Sequence, residues 1–260
     1  MALGDIMVFT DADAVLSPGT LSVTADYVMS KKLDMLSLAP GFTKRSFIED
    51  VIYPYLAMGL LFFYPLKDVN DKNKTAALAS GCYIMITKQA YEEVGTWVAF
   101  REEITEDIAI SRAVKANNLR LEMLRGEELV QTKPFENFSE IFGFWRRSYY
   151  GGLCRSIPKV IILTLIFLSL MAPFGFIVLS SIALAMGDAT AGITFLFVSS
   201  LFGIGSILVP HTIFLARSEC NWLYGLAGVA ALAFGFCVAM ATLWSLISKG
   251  RIQWRGTFYR

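Results

Sequence analysis

Two hydropathy patterns divide the chain. In residues 1–134 short apolar runs alternate with polar stretches, whereas residues 158–248 are almost continuously apolar. Periodicity and flanking residues predict both strands and helices in the first part. The predicted strands are 6–9, 34–39, 82–87 and 120–124, and the predicted helices are 89–94 and 106–116. Alternation of this kind is typical of an α/β layered domain.

The apolar second part predicts membrane-spanning helices. It contains three segments without a charged residue, namely 160–187, 189–216 and 220–248. Each is longer than the roughly 20 residues that a helix needs to cross the hydrocarbon core of a bilayer. We therefore predict an all-α transmembrane region of about three helices within residues 158–248, followed by a basic tail at 249–260.

Basic residues next to the first apolar segment indicate its orientation. Four of them lie directly before it: Arg146, Arg147, Arg155 and Lys159. Because Lys and Arg concentrate in cytoplasmic loops, we expect the α/β half in the cytoplasm. Three crossings would place the basic tail outside, against the same rule, and we expect the preceding charges to dominate. The chain is thus predicted to be a multi-pass integral protein of the cell membrane.

Composition supports this division and limits the kinds of binding partner that we expect. The chain is 55% hydrophobic and 17% charged, which is too apolar for an ordinary soluble domain. Residues 1–159 carry 18 Lys and Arg and 20 Asp and Glu, so the charge lies almost entirely in the first part. The formal net charge of +1 gives no reason to expect a nucleic-acid partner. The four cysteines have neither metal-site nor disulfide spacing.

Two further segments have helical patterns whose surroundings the sequence leaves open. Residues 51–66 are uncharged and too short to span a bilayer, so they form either a helix buried in the α/β domain or a segment that dips into the membrane surface. Residues 135–157 are predicted to form an amphipathic interfacial helix, with an ordinary core-facing helix as the alternative. The aromatic residues on its apolar face are Phe135, Phe138, Phe142, Trp145 and Tyr149.

A pair of carboxylates, Asp11 and Asp13, directly follows the first predicted strand. Open α/β sheets bind ligands beyond the carboxyl ends of their strands, and paired carboxylates there can hold a divalent cation against a phosphate group. The alternative is a solvated turn, or a cap for the helix that follows. The apolar strand in front of the pair favours the metal and diphosphate interpretation.

A second acidic pair, Glu106 and Asp107, opens the predicted helix 106–116. The helix dipole stabilises carboxylates in a first turn, which is a sufficient structural explanation. The functional interpretation makes Asp107 a general base that takes a proton from an acceptor hydroxyl. Gly81, just before a predicted strand, either lets a substrate approach the backbone closely or forms a tight turn.

These motifs together resemble a known family. Thr10-Asp11-Ala12-Asp13, Ser80-Gly81-Cys82 and Thr105-Glu106-Asp107 occur in the order and approximate spacing of the family 2 GT-A glycosyltransferases. The chain most resembles the membrane-bound branch that glycosylates lipids, which includes ceramide glucosyltransferase and hopanoid- and carotenoid-glycosyltransferases. Trp254-Arg255-Gly256 and Tyr259, after the last apolar segment, also resemble that branch. The resemblance implies a partial, Rossmann-like GT-A domain in residues 1–134, followed by the transmembrane helices.

The resemblance implies roles for the four carboxylates. Asp11 and Asp13 match the Asp-x-Asp motif that binds Mg²⁺ or Mn²⁺ and the diphosphate of a nucleotide-sugar donor. Asp107 matches the catalytic base, with Glu106 beside it. The implied reaction is a metal-dependent, single inverting displacement at the anomeric carbon, in which a membrane lipid takes the place that water has in inverting glycoside hydrolysis.

The resemblance also implies binding roles for five further residues. Gly81 and Cys82 correspond to the acceptor-binding region. Many processive relatives carry Gln-x-x-Arg-Trp on the interfacial helix, and the matching part of this chain contains Trp145, Arg146 and Arg147 instead. These three are expected to bind the donor, with Arg146 or Arg147 at its diphosphate, and anchoring to lipid headgroups is an equal alternative. The lack of that motif argues against a polysaccharide synthase.

One departure from the family concerns the start of the sequence. The family's first strands, which hold the nucleotide base and ribose, should precede Asp5. We therefore expect an N-terminally truncated chain whose parallel sheet lacks strands, and little activity from the 260 residues alone. The alternatives to a lipid glycosyltransferase are a fragment of a polysaccharide synthase and a non-catalytic membrane protein with a degenerate transferase shell. Retention of all the carboxylates opposes the last of these.

Overall fold

The structure, a computed structural model, describes residues 4–44, 46–217, 222–248, 252–254 and 257–259. The strands are β1 (Ile6–Phe9), β2 (Val15–Leu16), β3 (Met35–Ala39), β4 (Gly41–Phe42), β5 (Ile84–Thr87), β6 (Leu121–Arg125), β7 (Val130–Thr132), β8 (Ile252–Trp254) and β9 (Thr257–Tyr259). The α-helices are α1 (Thr20–Lys31), α2 (Tyr53–Phe63), α3 (Leu66–Val69), α4 (Lys88–Glu93), α5 (Glu106–Ala116), α6 (Phe138–Gly152), α7 (Ile157–Ala185), α8 (Ala191–Arg217) and α9 (Gly228–Ile247).

The larger sheet is mixed rather than parallel. Its strand order is β1-β5-β3-β6, with β3 and β6 parallel and β5 antiparallel to both of its neighbours. The expectation of a parallel sheet is therefore wrong, because the chain enters β5 at the edge where β1 ends. Phe9, the last residue of β1, faces Ile84, the first residue of β5. A smaller sheet, β2-β7-β4, lies beside it, and β8 and β9 form a hairpin.

Side chains of the central strands are buried on both faces of the larger sheet. Met35, Ile84 and Ile86 belong to one apolar cluster, whereas Leu36 and Met85 belong to another, as expected for side chains that alternate along a strand. The first cluster continues through α2 and α6 to apolar residues of α7 and α9. The α/β part and the apolar helices thus share one continuous core.

The predicted helices of the α/β part are confirmed, and their bounds follow local capping. Helix α5 has the predicted bounds, Glu106–Ala116. Helix α4 begins one residue before the predicted start because the Thr87 side chain accepts a hydrogen bond from the Ala90 backbone N–H. The Thr105 side chain, directly before α5, makes no capping hydrogen bond.

Residues 51–66 contain a helix that is packed against protein on one face. Helix α2 follows a π-helical turn, Ile48–Ile52. Leu56 and Leu60 are buried, whereas Met58 and Phe62 are largely exposed. The Tyr149 hydroxyl donates a hydrogen bond to the Leu56 carbonyl oxygen at 2.8 Å, which ties α2 to α6. The buried-helix alternative therefore describes the inner face of this segment.

Helix α6 turns most of its predicted aromatic face toward protein. Trp145 is 3% exposed and Tyr149 is fully buried. The rings of Phe138 and Phe142 lie 6.0 and 5.8 Å from the ring of Phe234 on α9, although Phe138 is still half exposed. The core-facing alternative thus describes this face, and the position of α6 at a lipid surface stays a prediction.

Three helices are long and apolar enough to cross a membrane, as predicted: Ile157–Ala185, Ala191–Ile213 and Leu223–Ile247. Helix α7 packs against both of the others through small residues. A Cβ atom placed on Gly235 of α9 would overlap the Phe167 ring, and one placed on Gly203 of α8 would lie 2.9 Å from Pro173. Large apolar side chains such as Phe195 and Phe202 point outward, as lipid-facing residues do.

Candidate active site at the edge of the larger sheet

Three of the predicted site residues, Asp11, Gly81 and Asp107, meet at one edge of the larger sheet. Because β1 and β5 are antiparallel, the end of β1 and the start of β5 share this edge. The backbone N–H of Gly81 donates a hydrogen bond to Oδ2 of Asp107 at 3.0 Å. A Cβ atom placed on Gly81 would lie 3.4 Å from Oδ2 of Asp11 and 3.7 Å from Oδ2 of Asp107. The two carboxylates therefore flank one glycine.

The pKa of the half-buried carboxyl group of Asp107 is raised toward neutral pH. Burial and the neighbouring Glu106 carboxylate raise the pKa of Asp107 to about 6. Hydrogen bonds from the Gly81 and Ile108 backbone N–H groups and the charge of Arg147 limit this rise. A carboxylate with such a pKa is mostly ionised at pH 7, yet it is a stronger base than an ordinary aspartate.

Asp11 and Asp13 are exposed, and each accepts one hydrogen bond from a neighbouring side chain. The Cys82 thiol donates to Oδ2 of Asp11 at 3.6 Å, and the Thr132 hydroxyl donates to Oδ2 of Asp13 at 3.3 Å. Within the described part of the chain, neither carboxylate takes part in an ion pair. Both keep oxygen atoms that can receive a cation.

The residues present fit a divalent cation only in combination with a substrate. Among the described residues, no group of three or more His, Cys, Asp and Glu side chains could hold a metal ion. Mg²⁺ commonly binds through one or two carboxylates, with phosphate oxygens and water completing its shell. Asp11 and Asp13 supply two carboxylates of this kind, so they suit a cation that arrives with a diphosphate.

Cys82 contributes to this edge as a neutral thiol. Burial, together with the Asp11 and Asp13 carboxylates, raises the pKa of the Cys82 thiol to about 12. The thiol therefore keeps its proton at physiological pH and acts as a hydrogen-bond donor to Asp11. The sequence predicted that Cys82 lies at the site, but it did not predict the hydrogen bond from its thiol to Asp11. That hydrogen bond depends on the turn between Ser80 and Tyr83.

Helix α6 brings Arg147 to the site and places Trp145 behind it. The Arg147 guanidinium lies 5.6 Å from the Phe144 ring centroid and donates to the Ile104 carbonyl oxygen at 3.4 Å. Trp145 is enclosed by aromatic rings, including those of Phe144 at 5.6 Å and Tyr149 at 5.5 Å. Within the described residues, the buried Nε atom of Arg146 has no hydrogen-bond partner.

The end of α6 contacts both α5 and the two residues that precede it. The Arg112 guanidinium donates to the carbonyl oxygens of Gly151 and Gly152, at 3.3 and 2.6 Å. A Cβ atom placed on Gly151 would collide with the Thr105 side chain and lie 2.8 Å from Cγ2 of Ile104. Only a glycine lets the two segments approach so closely, and this approach fixes the position of the helix that carries Asp107.

The edge of the larger sheet thus carries an exposed carboxylate pair and, near it, a half-buried carboxyl group whose pKa is raised to about 6, an arrangement compatible with group transfer. Residues 6–247 match the family described as Glycosyl transferase family group 2, and this range includes every carboxylate of the site and all three apolar helices. The chain belongs to this family and is a glycosyltransferase. A search among curated proteins found no match.

Proposed function

We propose that this glycosyltransferase moves a sugar from a nucleotide-sugar donor to a membrane lipid, with inversion at the anomeric carbon and with Mg²⁺ or Mn²⁺. The observation that carries the proposal is that the carboxylates of Asp11 and Asp107 both lie close to Gly81. Asp11 belongs to the carboxylate pair that suits a metal-bound diphosphate, and Asp107 has the pKa of a general base.

The donor is held on the side of Asp11 and Asp13. These residues bind the cation, which when present neutralises the charge of the departing nucleoside diphosphate. Arg147, whose charge acts on Asp107, is assigned to the diphosphate of the bound donor. We assign Arg146 a lesser role in donor binding, and Trp145 acts through the packing of α6 because it is 3% exposed.

Asp107 is the general base in this proposal. Its carboxylate takes the proton of the acceptor hydroxyl while the oxygen of that hydroxyl forms a bond to the anomeric carbon, and the bond to the diphosphate oxygen breaks on the opposite face. Glu106 helps to keep the pKa of Asp107 near 6. Gly81 and Cys82 line the gap through which the acceptor hydroxyl reaches the donor.

The location of the site favours a lipid acceptor on the cytoplasmic side. Helix α6 contacts the residues just before α5 at Gly151, and its Phe138 and Phe142 pack against α9, one of the helices able to span a membrane. The same helix thus borders both the carboxylates and the apolar part of the chain. An acceptor dissolved in the bilayer can meet the site at this junction without leaving the membrane surface.

The test uses membranes that contain the chain, radiolabelled UDP-glucose, UDP-galactose, UDP-N-acetylglucosamine or GDP-mannose, and a total lipid extract. Label that enters the chloroform phase is measured with Mg²⁺ or Mn²⁺ and again with EDTA. Asp13→Asn and EDTA are each expected to reduce lipid labelling by about 10²-fold or more. Glu102→Gln, at an exposed residue whose only ion pair is with Arg101 in the described chain, is the matched control. Equal labelling by Asp13→Asn and the control would contradict the metal assignment, and label confined to water-soluble products would contradict the lipid acceptor.

A further inference from the structure

The side chain of Tyr53 packs between β4 of the smaller sheet and α6. Tyr53 is the first residue of α2 and directly follows the π-helical turn Ile48–Ile52. Such turns shift the side chains that follow them and occur often at functional sites. The half-buried Tyr53 ring packs edge-on against Phe42 at 5.0 Å and against Trp145 at 5.4 Å. The ring is therefore fixed from two sides.

Two chains of contacts connect Tyr53 to the site. Phe42 pairs with Thr132 in the β4–β7 ladder, and the Thr132 hydroxyl donates a hydrogen bond to Asp13. Cys82, whose thiol donates to Asp11, lies near enough to the Tyr53 hydroxyl to contribute to the rise of the Tyr53 pKa. Tyr53 is thus linked to both carboxylates of the first acidic pair, through Phe42 and Thr132 on one path and through Cys82 on the other.

The chemistry around the Tyr53 hydroxyl suits a neutral polar ligand. Burial, with the nearby Cys82 and Glu127 side chains, raises the pKa of Tyr53 to about 12, so the hydroxyl keeps its proton and can donate a hydrogen bond. Aromatic walls with a few fixed polar groups are typical of small-molecule sites.

We propose that the hydroxyl of Tyr53 binds one hydroxyl of the transferred sugar and so helps to select the donor. The inference rests on the proposed function, because it needs a donor bound at Asp11 and Asp13. A site built to pair with a substrate hydroxyl discriminates strongly against an analogue that lacks it, since a polar group of the protein is then left without a partner.

Tyr55, two residues further along, provides a matched control. Burial also raises the pKa of Tyr55 to about 12. Its ring, however, packs 4.9 Å from the ring of His211, and its hydroxyl would lie 2.6 Å from a Cβ atom placed on Gly228. Tyr55 therefore faces the apolar helices rather than the site. Tyr53→Phe and Tyr55→Phe remove the same atom and keep the same ring.

The experiment measures kcat/KM of the full chain in membranes with UDP-glucose, UDP-galactose, UDP-N-acetylglucosamine and GDP-mannose, and with the 3-, 4- and 6-deoxy analogues of the best donor. In the unsubstituted chain, one deoxy position should lower kcat/KM about tenfold or more. Tyr53→Phe should lose that penalty and lower kcat/KM for the parent sugar by a similar factor. Tyr55→Phe should keep both values within about twofold.

Donor hydrolysis without lipid, measured in parallel, separates this inference from the proposed acceptor. Altered deoxy selectivity in hydrolysis, without lipid labelling, supports Tyr53 and refutes the lipid acceptor. Lipid labelling with the same deoxy profile in Tyr53→Phe and Tyr55→Phe overturns the role of Tyr53 and leaves the proposed function intact. If Tyr53→Phe fails to fold, the deoxy donors are measured with the unsubstituted chain alone. Equal kcat/KM for the parent donor and for every deoxy analogue also overturns the inference.

Discussion

The carboxylates of Glu49 and Asp107, both at least partly withdrawn from solvent, have different surroundings. Glu49 is 2% exposed and accepts hydrogen bonds from the backbone N–H groups of Ser46 and Phe135 and from the Ser46 hydroxyl. Asp107 is half-buried and accepts hydrogen bonds from two backbone N–H groups, one of them from Gly81. Glu49 joins two segments, its own turn and the one that contains Phe135, whereas Asp107 lies beside Gly81, as Asp11 does.

The difference separates a structural carboxylate from a reactive one. Hydrogen bonds to a carboxylate stabilise its charge, and several of them turn a buried acid into a fixed joint between segments. Asp107 combines fewer such bonds with burial and with a like charge at Glu106, and its pKa is raised to about 6 as a result. We therefore expect substitutions at Asp107 to act on turnover and substitutions at Glu49 to act on folding.

The largest expected effect is the loss of turnover in Asp107→Asn. The amide keeps the shape of the side chain but cannot take a proton, so kcat should fall by about 10³-fold if Asp107 is the general base. Thermal unfolding in detergent should show no loss of stability. The measurement is sugar transfer at pH 7.5, with Glu102→Gln as the control. Turnover within threefold of the control would refute the assignment of the base.

The second expected effect is a pH dependence that Asp107 contributes to both turnover and stability. Its folded pKa, about 6, lies above the ordinary value of 3.8, so the folded chain binds the proton more tightly than the unfolded chain does. The contribution of Asp107 to stability is therefore largest below about pH 4 and falls by about 3 kcal/mol as the pH rises to about 6 and beyond. Turnover should rise over the upper part of this range as the base becomes ionised.

Unfolding of the original chain and of Asp107→Asn from pH 4 to 8 tests the stability part of this prediction. The difference between their free energies of unfolding should change in favour of Asp107→Asn as the pH rises. Parallel pH dependences would show that Asp107 titrates alike in the folded and unfolded chains. A pH–rate profile of the original chain checks the kinetic part independently.

The third expected effect arises where the reactive and structural regions meet, at Gly151 of α6. In Gly151→Ala the new Cβ atom would overlap the Thr105 side chain and press on Ile104, just before the helix that carries Asp107. Overpacking of this kind should lower the free energy of unfolding by about 1–3 kcal/mol and reduce turnover as well. Gly143→Ala is the control, because it lies on the same helix with nothing within 4 Å of the new atom.

Gly143→Ala should be neutral or raise stability by up to about 1 kcal/mol, since alanine favours the helix. The measurements are the thermal unfolding and the sugar-transfer rates of Gly151→Ala and Gly143→Ala. Equal stability of both variants would mean that α6 does not press on the start of α5 as tightly as the structure indicates.

Local patterns predicted the parts of this molecule that depend on local physics. The bounds of α5 follow from its apolar spacing and from Asn117-Asn118 at its end, and the three apolar helices follow from length and composition. The direction of β5 was not predictable, because it depends on how the chain between β4 and β5 returns across the sheet. Acidic motifs pointed to Asp11 and Asp107, but their shared contact with Gly81 required the folded sheet.

Tyr53 illustrates what sequence patterns miss at this site. Its position in an uncharged, aromatic segment resembles that of Tyr55, and only the packing distinguishes the two. A π-helical turn and the contact with Trp145 direct Tyr53 toward the site, whereas Tyr55 packs on His211. Neither feature has a period or a motif that can be read from the residues alone.

The smallest expected effect is the loss of stability in Glu49→Gln. The glutamine amide keeps one acceptor oxygen and turns an NH₂ group toward N–H and O–H donors, so at least one of the hydrogen bonds from Ser46 or Phe135 is lost. The free energy of unfolding should fall by about 1–2 kcal/mol, because a buried donor is left without a partner. Glu102→Gln is again the control, since that side chain is exposed. Turnover per folded molecule should stay within about twofold, and a loss of turnover without a loss of stability would move Glu49 from the structural class to the reactive one.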